Sequence, residues 1–150
     1  MSSHTRPLYN PLSLEIMHCQ YRQSMALPLA EAVIAGFPSP AGDYEDVRLD
    51  LNEALIRNPT STFFARVQGN SMIGAGIDDG DLLVVDKSIV PYDGAIAVSM
   101  IDGDFTLKTI KLHEGRLYLM PANPDYAALE VTEANHFAVW GVVTYVIKKK

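Results

Sequence analysis

The chain has 150 residues, 48% of them hydrophobic, 20% charged and 9% aromatic, which suits one domain with a buried core and room for an arm. Twelve Lys and Arg against eighteen Asp and Glu leave a formal charge of −6, and only Lys148, Lys149 and Lys150 cluster. That balance argues against sequence-independent nucleic-acid binding, and the single cysteine, Cys19, excludes an internal disulfide framework or a multi-thiolate metal site and fits a reducing cytoplasm.

In chain order, residues 1–45 read as an extended N-terminal arm. Pro7, Pro11, Pro28, Pro38 and Pro40 punctuate it, and proline both fixes φ and removes a backbone donor, so a packed helix or central strand is not expected there. Pro11, Glu15 and His18 break any secretory-signal pattern, and no apolar stretch of the chain nears the ~18 residues of a membrane span. Within the arm, Ala32-Val33-Ile34-Ala35-Gly36-Phe37 is apolar and small-residued, a composition suited to lying in a groove. Asp50-Leu51-Asn52-Glu53 resembles a capping box, and with Asn58-Pro59 as a stop it predicts a helix of two or three turns.

Residues 46–150 read as a compact, mostly β domain. Its β-rich runs are Phe63–Val67, Leu82–Val85, Ala95–Val98, Phe105–Ile110, Leu117–Met120 and Val139–Ile147. Turn signals at Asp79-Gly80, Asp93-Gly94, Asp102-Gly103 and Asn123-Pro124 separate several of them, which predicts mostly antiparallel pairing. No internal repeat is present.

His4, His18, His113 and His136 show no metal-ligand spacing, and neither HExxH nor CxxC occurs, so no metal or cofactor is implied. Cys19 lies in the arm, away from any base that could activate it. Ser71 is placed differently, in Val67-Gln68-Gly69-Asn70-Ser71-Met72-Ile73, at a strand exit just before Gly74-Ala75-Gly76. Taken alone it reads as a turn serine bonding its own backbone. Lys108 sits mid-strand in Asp104-Phe105-Thr106-Leu107-Lys108-Thr109-Ile110, where alternation puts Thr106, Lys108 and Ile110 on one face. A lysine there either snorkels from an edge or is partly buried; burial favours the neutral amine, which can take a proton from a serine. Serine with lysine as its base is a known variant of nucleophilic catalysis that needs no histidine.

Together these residues resemble the LexA/UmuD family of self-cleaving serine–lysine proteases, and its UmuD-type members most closely. The resemblance runs through Ala35-Gly36-Phe37-Pro38-Ser39-Pro40-Ala41, Gly69-Asn70-Ser71-Met72-Ile73 and Asp79-Gly80-Asp81-Leu82-Leu83-Val84-Val85-Asp86. It continues in Gly103-Asp104-Phe105-Thr106-Leu107-Lys108 and Val139-Trp140-Gly141-Val142-Val143. It implies a LexA/UmuD-like protease β domain with Ser71 as nucleophile, Lys108 as general base and Ala35–Gly36 as the scissile bond. The backbone N–H groups of Ser71 and Asn70 would form the oxyanion hole.

The same resemblance implies a cytoplasmic homodimer whose cut is promoted by the RecA–single-stranded-DNA filament. The shortened product, residues 36–150, would join a UmuC-type polymerase in error-prone lesion bypass during the SOS response to DNA damage. Two departures stand out: alanine rather than cysteine precedes the cut, an alternative common in the family, and Asn70 stands where aspartate often precedes the serine. Residues 1–25 match nothing in that pattern. The competing reading is a LexA-like or phage-type regulator in which the dyad serves only regulatory cleavage. Residues 1–35 are too short and too broken by proline for an operator-binding helix-turn-helix. Signal peptidases share the chemistry but need a membrane anchor.

Overall fold

The computed structural model describes residues 14–18, 24–29 and 47–150. Ten strands are described: β1 (Leu14–His18), β2 (Ala26–Pro28), β3 (Arg48–Asp50), β4 (Thr62–Val67), β5 (Leu82–Asp86), β6 (Ile96–Ile101), β7 (Asp104–His113), β8 (Arg116–Met120), β9 (Leu129–Val131) and β10 (Phe137–Ile147). Eight of them form one antiparallel sheet in the order β1-β4-β5-β10-β6-β7-β8-β9, and β2 pairs with β3 apart from it. The protein is thus mostly β, and each of the six β-rich runs coincides with a strand. β1 and β3 carry no run long enough to announce themselves in the sequence. β1 lies along β4 at the sheet edge, with Ile16 only 4% exposed against Phe63, Ala65 and Val67.

The turns follow the expected chemistry. Asp102 and Gly103 both have positive φ (49° and 87°), the backbone of the tight turn whose twist matches a right-twisted β6–β7 hairpin. The Asp102 carboxylate also accepts from His136 N–H (2.9 Å) and Asn135 Nδ2 (2.7 Å), tying that hairpin to the start of β10.

The helix differs from expectation. α1 spans Leu51–Leu55, little more than one turn. Asp50 does cap it, accepting from Asn52 N–H at 2.9 Å while its other oxygen accepts from Met25 N–H at 3.0 Å. The helix stops before Asn58-Pro59 because Ile56 turns to extended geometry and becomes buried, 8% exposed. Apolar burial outweighed the further turn that local propensity allowed.

Alternation along β6 and β7 builds two cores. Val98, Phe105 and Leu107 join Phe63, Met72, Leu83 and Val85 in one cluster; Ala97, Ile101, Ile110 and Leu119 form another. Trp140 closes the first, edge-on to Phe63 (5.2 Å between centroids) and Phe105 (4.8 Å), under the Lys87 ammonium. β10 serves both β5 and β6, and its register with β6 shifts between Val139 and Gly141. At Gly141 a Cβ would lie 2.6 Å from Val85 Cγ1 and 3.3 Å from the Asp86 carbonyl oxygen, so this crossing needs glycine. Gly141→Ala is expected to cost about 1–3 kcal/mol by overpacking, measured as a fall in the urea midpoint with an unchanged slope.

Candidate active site

The nucleophile candidate sits in a loop that leaves β4 and returns to it. Gly80 N–H donates to the Val67 carbonyl (2.8 Å) and Val67 N–H to that of Asp81 (2.9 Å), closing the loop at its base. Inside it, Gly69 N–H donates to the Asp79 carboxylate at 2.7 Å. Met72 drops into the first core cluster, 2% exposed, and anchors the turn from below. A short 3-10 turn, Ile73–Ala75, follows. Gly74 N–H donates to the Ala122 carbonyl at 2.7 Å, and a Cβ at residue 74 would lie 2.5 Å from that oxygen. Glycine is what lets the two backbones approach.

Lys108 lies on β7 opposite Ala97 of β6, on the face that alternation assigns to Thr106, Lys108 and Ile110. Its stem is half-buried. Nζ lies 3.1 Å from Ser71 Oγ, 3.0 Å from Thr106 Oγ1 and 3.0 Å from the Leu107 carbonyl oxygen. Among the described residues no carboxylate forms an ion pair with it. Burial is accordingly the cause of its shift, and the amine's pKa falls below the ordinary lysine value.

The three contacts suit both protonation states. As an ammonium, Nζ has three protons for three acceptors. As a neutral amine it keeps two, for Thr106 Oγ1 and the Leu107 carbonyl, and its lone pair faces Ser71 Oγ. The loss of one proton therefore reverses a single hydrogen bond and disturbs nothing else.

Asn70 is held by two side chains from the segment before β9. Asn123 Nδ2 donates to the Asn70 carbonyl (2.9 Å), and Tyr126 Oη donates to Asn70 Oδ1 (2.7 Å). Ala122 N–H donates to the Ser71 carbonyl at 2.8 Å. In sequence Asn123-Pro124 signals only a turn, and nothing local ties it to residue 70. Thr106 was on the right face but had no assigned role.

Ala35, Gly36 and Cys19 lie outside the described residues, as do the other members of the small-residue segment Ala32–Phe37. His113 and His136 stand at turns, and neither contacts Ser71 among the described hydrogen bonds; the His113 side chain lies 3.7 Å from that of its neighbour Glu114. Among the described residues no group of three His, Cys, Asp or Glu is placed to hold a metal ion, and no helix is long and apolar enough to cross a membrane.

Comparison with known proteins places this geometry in context. The family model described as peptidase S24-like matches residues 28–144. Protein SamA of Salmonella typhimurium is 46% identical over 127 residues, covering 85% of this chain and 88% of SamA. Protein MucA of Escherichia coli is 43% identical over 116 residues, 77% of this chain and 79% of MucA. The LexA repressor of Xylella fastidiosa is 37% identical over 123 residues, 82% of this chain but 58% of that repressor. The chain therefore belongs to the peptidase S24-like family of serine peptidases, as a UmuD-type member of its LexA/UmuD group.

Proposed function

We propose that this protein cuts its own N-terminal arm, residues 1–45, at Ala35–Gly36, with Ser71 as nucleophile and Lys108 as general base. The observation that carries the reading is the 3.1 Å contact between Lys108 Nζ and Ser71 Oγ, made by an amine with no carboxylate partner among the described residues. A base must accept a proton near working pH, and burial without a counter-ion is what brings a lysine toward that range.

The reaction runs in two stages. Neutral Nζ takes the Ser71 hydroxyl proton as Oγ attacks the Ala35 carbonyl carbon. The tetrahedral oxyanion is met by the backbone N–H groups of Ser71 and Asn70. Its collapse breaks the Ala35–Gly36 bond; the proton on Nζ passes to the Gly36 nitrogen, which leaves as an amine. Water, deprotonated by the same lysine, then hydrolyses the Ala35–Ser71 ester. The products are residues 1–35 with a new carboxylate and residues 36–150 with a new amino group. Thr106 Oγ1 and the Leu107 carbonyl hold Nζ toward Oγ through both stages. Small residues on both sides of the cut leave the carbonyl open to attack.

In the cell, this reading makes the protein a cytoplasmic homodimer whose self-cleavage is stimulated by the RecA–single-stranded-DNA filament. The shortened form would serve a UmuC-type polymerase in lesion bypass. Similarity to UmuD-type relatives over most of the chain supports this assignment.

The first test is intact mass of the purified chain after incubation across neutral to alkaline pH, beside Ser71→Ala. The rate is expected to rise about tenfold per pH unit and level off above the lowered Lys108 pKa, yielding residues 36–150; an equal rate in the Ser71→Ala chain would overturn the nucleophile. Lys108→Met should abolish cutting and raise the melting temperature below the lowered Lys108 pKa, because it removes a half-buried cation with no ion-pair partner among the described residues. A stable Lys108→Met chain that still cuts at the same bond would exclude the lysine. Gly36→Trp should stop processing while leaving the Ser71–Lys108 pair intact, and normal processing would move the scissile bond elsewhere.

A further inference from the structure

The peptide bonds on both sides of Ser71 are held by the same short segment. Asn123 Nδ2 donates to the Asn70 carbonyl at 2.9 Å, and Ala122 N–H donates to the Ser71 carbonyl at 2.8 Å. Ile73 N–H also reaches the Asn70 carbonyl, but at 3.4 Å, so the Asn123 amide is the shorter bond. Asn123 itself is 7% exposed, and its Oδ1 accepts from Asp125 N–H at 2.9 Å, which fixes the amide's orientation from within its own turn. Tyr126, one residue further on, places its hydroxyl 2.7 Å from Asn70 Oδ1. The tyrosine ring is largely exposed, 44%, so this hydrogen bond does not come with burial of the side chain.

A trans peptide is planar, and its N–H points opposite to its C=O. Whatever binds the Asn70 carbonyl therefore aims the Ser71 N–H to the other side of the same plane. That N–H is an oxyanion donor in the reading above. Oxyanion donors act through pre-organisation: they must already point at the oxygen before charge develops on it.

We propose that Asn123 is a positioning residue for the oxyanion hole: through the Asn70 carbonyl it fixes the peptide that presents the Ser71 N–H, and Tyr126 holds the Asn70 side chain in the matching orientation. This rests on Ser71 being the nucleophile. It assigns work to a segment, Ala122–Tyr126, that carries neither the nucleophile nor the base. It also separates two jobs within the site. Thr106 and the Leu107 carbonyl serve the base, while Ala122, Asn123 and Tyr126 serve the nucleophile's backbone.

The test uses the full chain and follows self-cleavage against pH for Asn123→Asp, Tyr126→Phe and Ser71→Ala. Asp at 123 keeps the oxygen that accepts from Asp125 N–H, but sets a charged oxygen in place of the donor to the Asn70 carbonyl. Its rate plateau is expected to fall roughly 10- to 100-fold, less than the ~10²- to 10³-fold cost of deleting an oxyanion donor outright. The added charge favours the ammonium and should move the pH midpoint, which reports the base, upward, so the plateau above it is the readout for this variant; in the neutral Tyr126→Phe the midpoint should stay where it is. Tyr126→Phe alters an exposed side chain, should fold normally, and should slow the plateau a few-fold. Combined with Asn70→Ala it should slow the reaction no further than Asn70→Ala alone, as expected when two changes remove one hydrogen bond.

A wild-type plateau in both Asn123→Asp and Tyr126→Phe overturns the proposal, as does a lower melting temperature with no loss of rate. A shifted midpoint with an unchanged plateau in Tyr126→Phe also overturns it, since the segment would then act on Lys108. If Asn123→Asp does not fold, the Tyr126 and Asn70 cycle decides alone, with additive losses counting against the proposal. Cleavage persisting in Ser71→Ala would instead sink the underlying assignment of the nucleophile.

Discussion

Burial of one amine, with no opposing carboxylate among the described residues, sets the terms for the rest of this structure. Lys108 emerges from the middle of β7 and meets a hydroxyl of the nucleophile turn, a hydroxyl of its own strand and a backbone carbonyl. A carboxylate in any of those positions would have returned the lysine to its ordinary charged state. The surrounding polar atoms are instead uncharged, and they satisfy the amine's protons without stabilising an extra one strongly. The cost falls on the fold. Below its lowered pKa the lysine is charged in folded and unfolded chains alike, and folding then carries the full desolvation penalty. As pH rises from the folded value toward the unfolded one, the unfolded chain binds more protons and stability increases. Below that lowered value the half-buried cation is therefore a weak point of the sheet, and the paired β6–β7–β8 ladder must carry it.

The Ser71 side of the site is built from fixed backbone. The loop from Val67 to Asp81 is closed at its base by paired hydrogen bonds, anchored by Met72 and joined to residues 122–126 from the far end of the sheet. Its acidic base is also tied to the C-terminus. The Lys148 ammonium lies 2.7 Å from an Asp78 carboxylate oxygen and pairs with Asp81 as well. Burial raises the Asp81 pKa, but hydrogen bonds from Lys148 and from Asp78 N–H outweigh it, and the net shift is downward. That contribution is present above the ordinary aspartate range and is lost as pH falls through the lowered value. Lys108 and Asp81 thus lean the same way: each favours the folded loop and sheet more strongly as pH rises, Asp81 at the acidic end and Lys108 at the alkaline end.

The strands were legible because the forces that form them are local in sequence. Val, Ile, Phe and Leu in short runs between Asp-Gly turns encode both the strand and its ends. The helix was half legible: Asp50 announced its cap, but its length depended on Ile56 finding a buried place, a fact of tertiary packing. β1 was hidden because Leu14–His18 owes its conformation to the free edge of β4. At the site, alternation put Thr106 on the same face as Lys108, and the family pattern singled out Ser71. The hydrogen bonds from Asn123 and Tyr126 span 53 and 56 residues. A turn-forming Asn-Pro looks identical whether or not its amide serves a distant carbonyl.

Asn70 shows how the two halves of the site constrain one another. Asn70 immediately precedes Ser71, whose Oγ Lys108 Nζ touches. An aspartate there would add a negative charge to the turn, and a nearby negative charge favours a charged lysine. Asparagine keeps the same length and the same acceptor oxygen, so the Tyr126 hydroxyl can still bond to it. What it removes is the charge. Its backbone carbonyl remains available to Asn123 in either case. Asparagine at 70 thus holds the Ser71 turn through these hydrogen bonds without adding a negative charge to it. In this chain the peptides flanking Ser71 are held by hydrogen bonds to neutral groups, and the Lys108 pKa is lowered by burial with no carboxylate paired to it among the described residues.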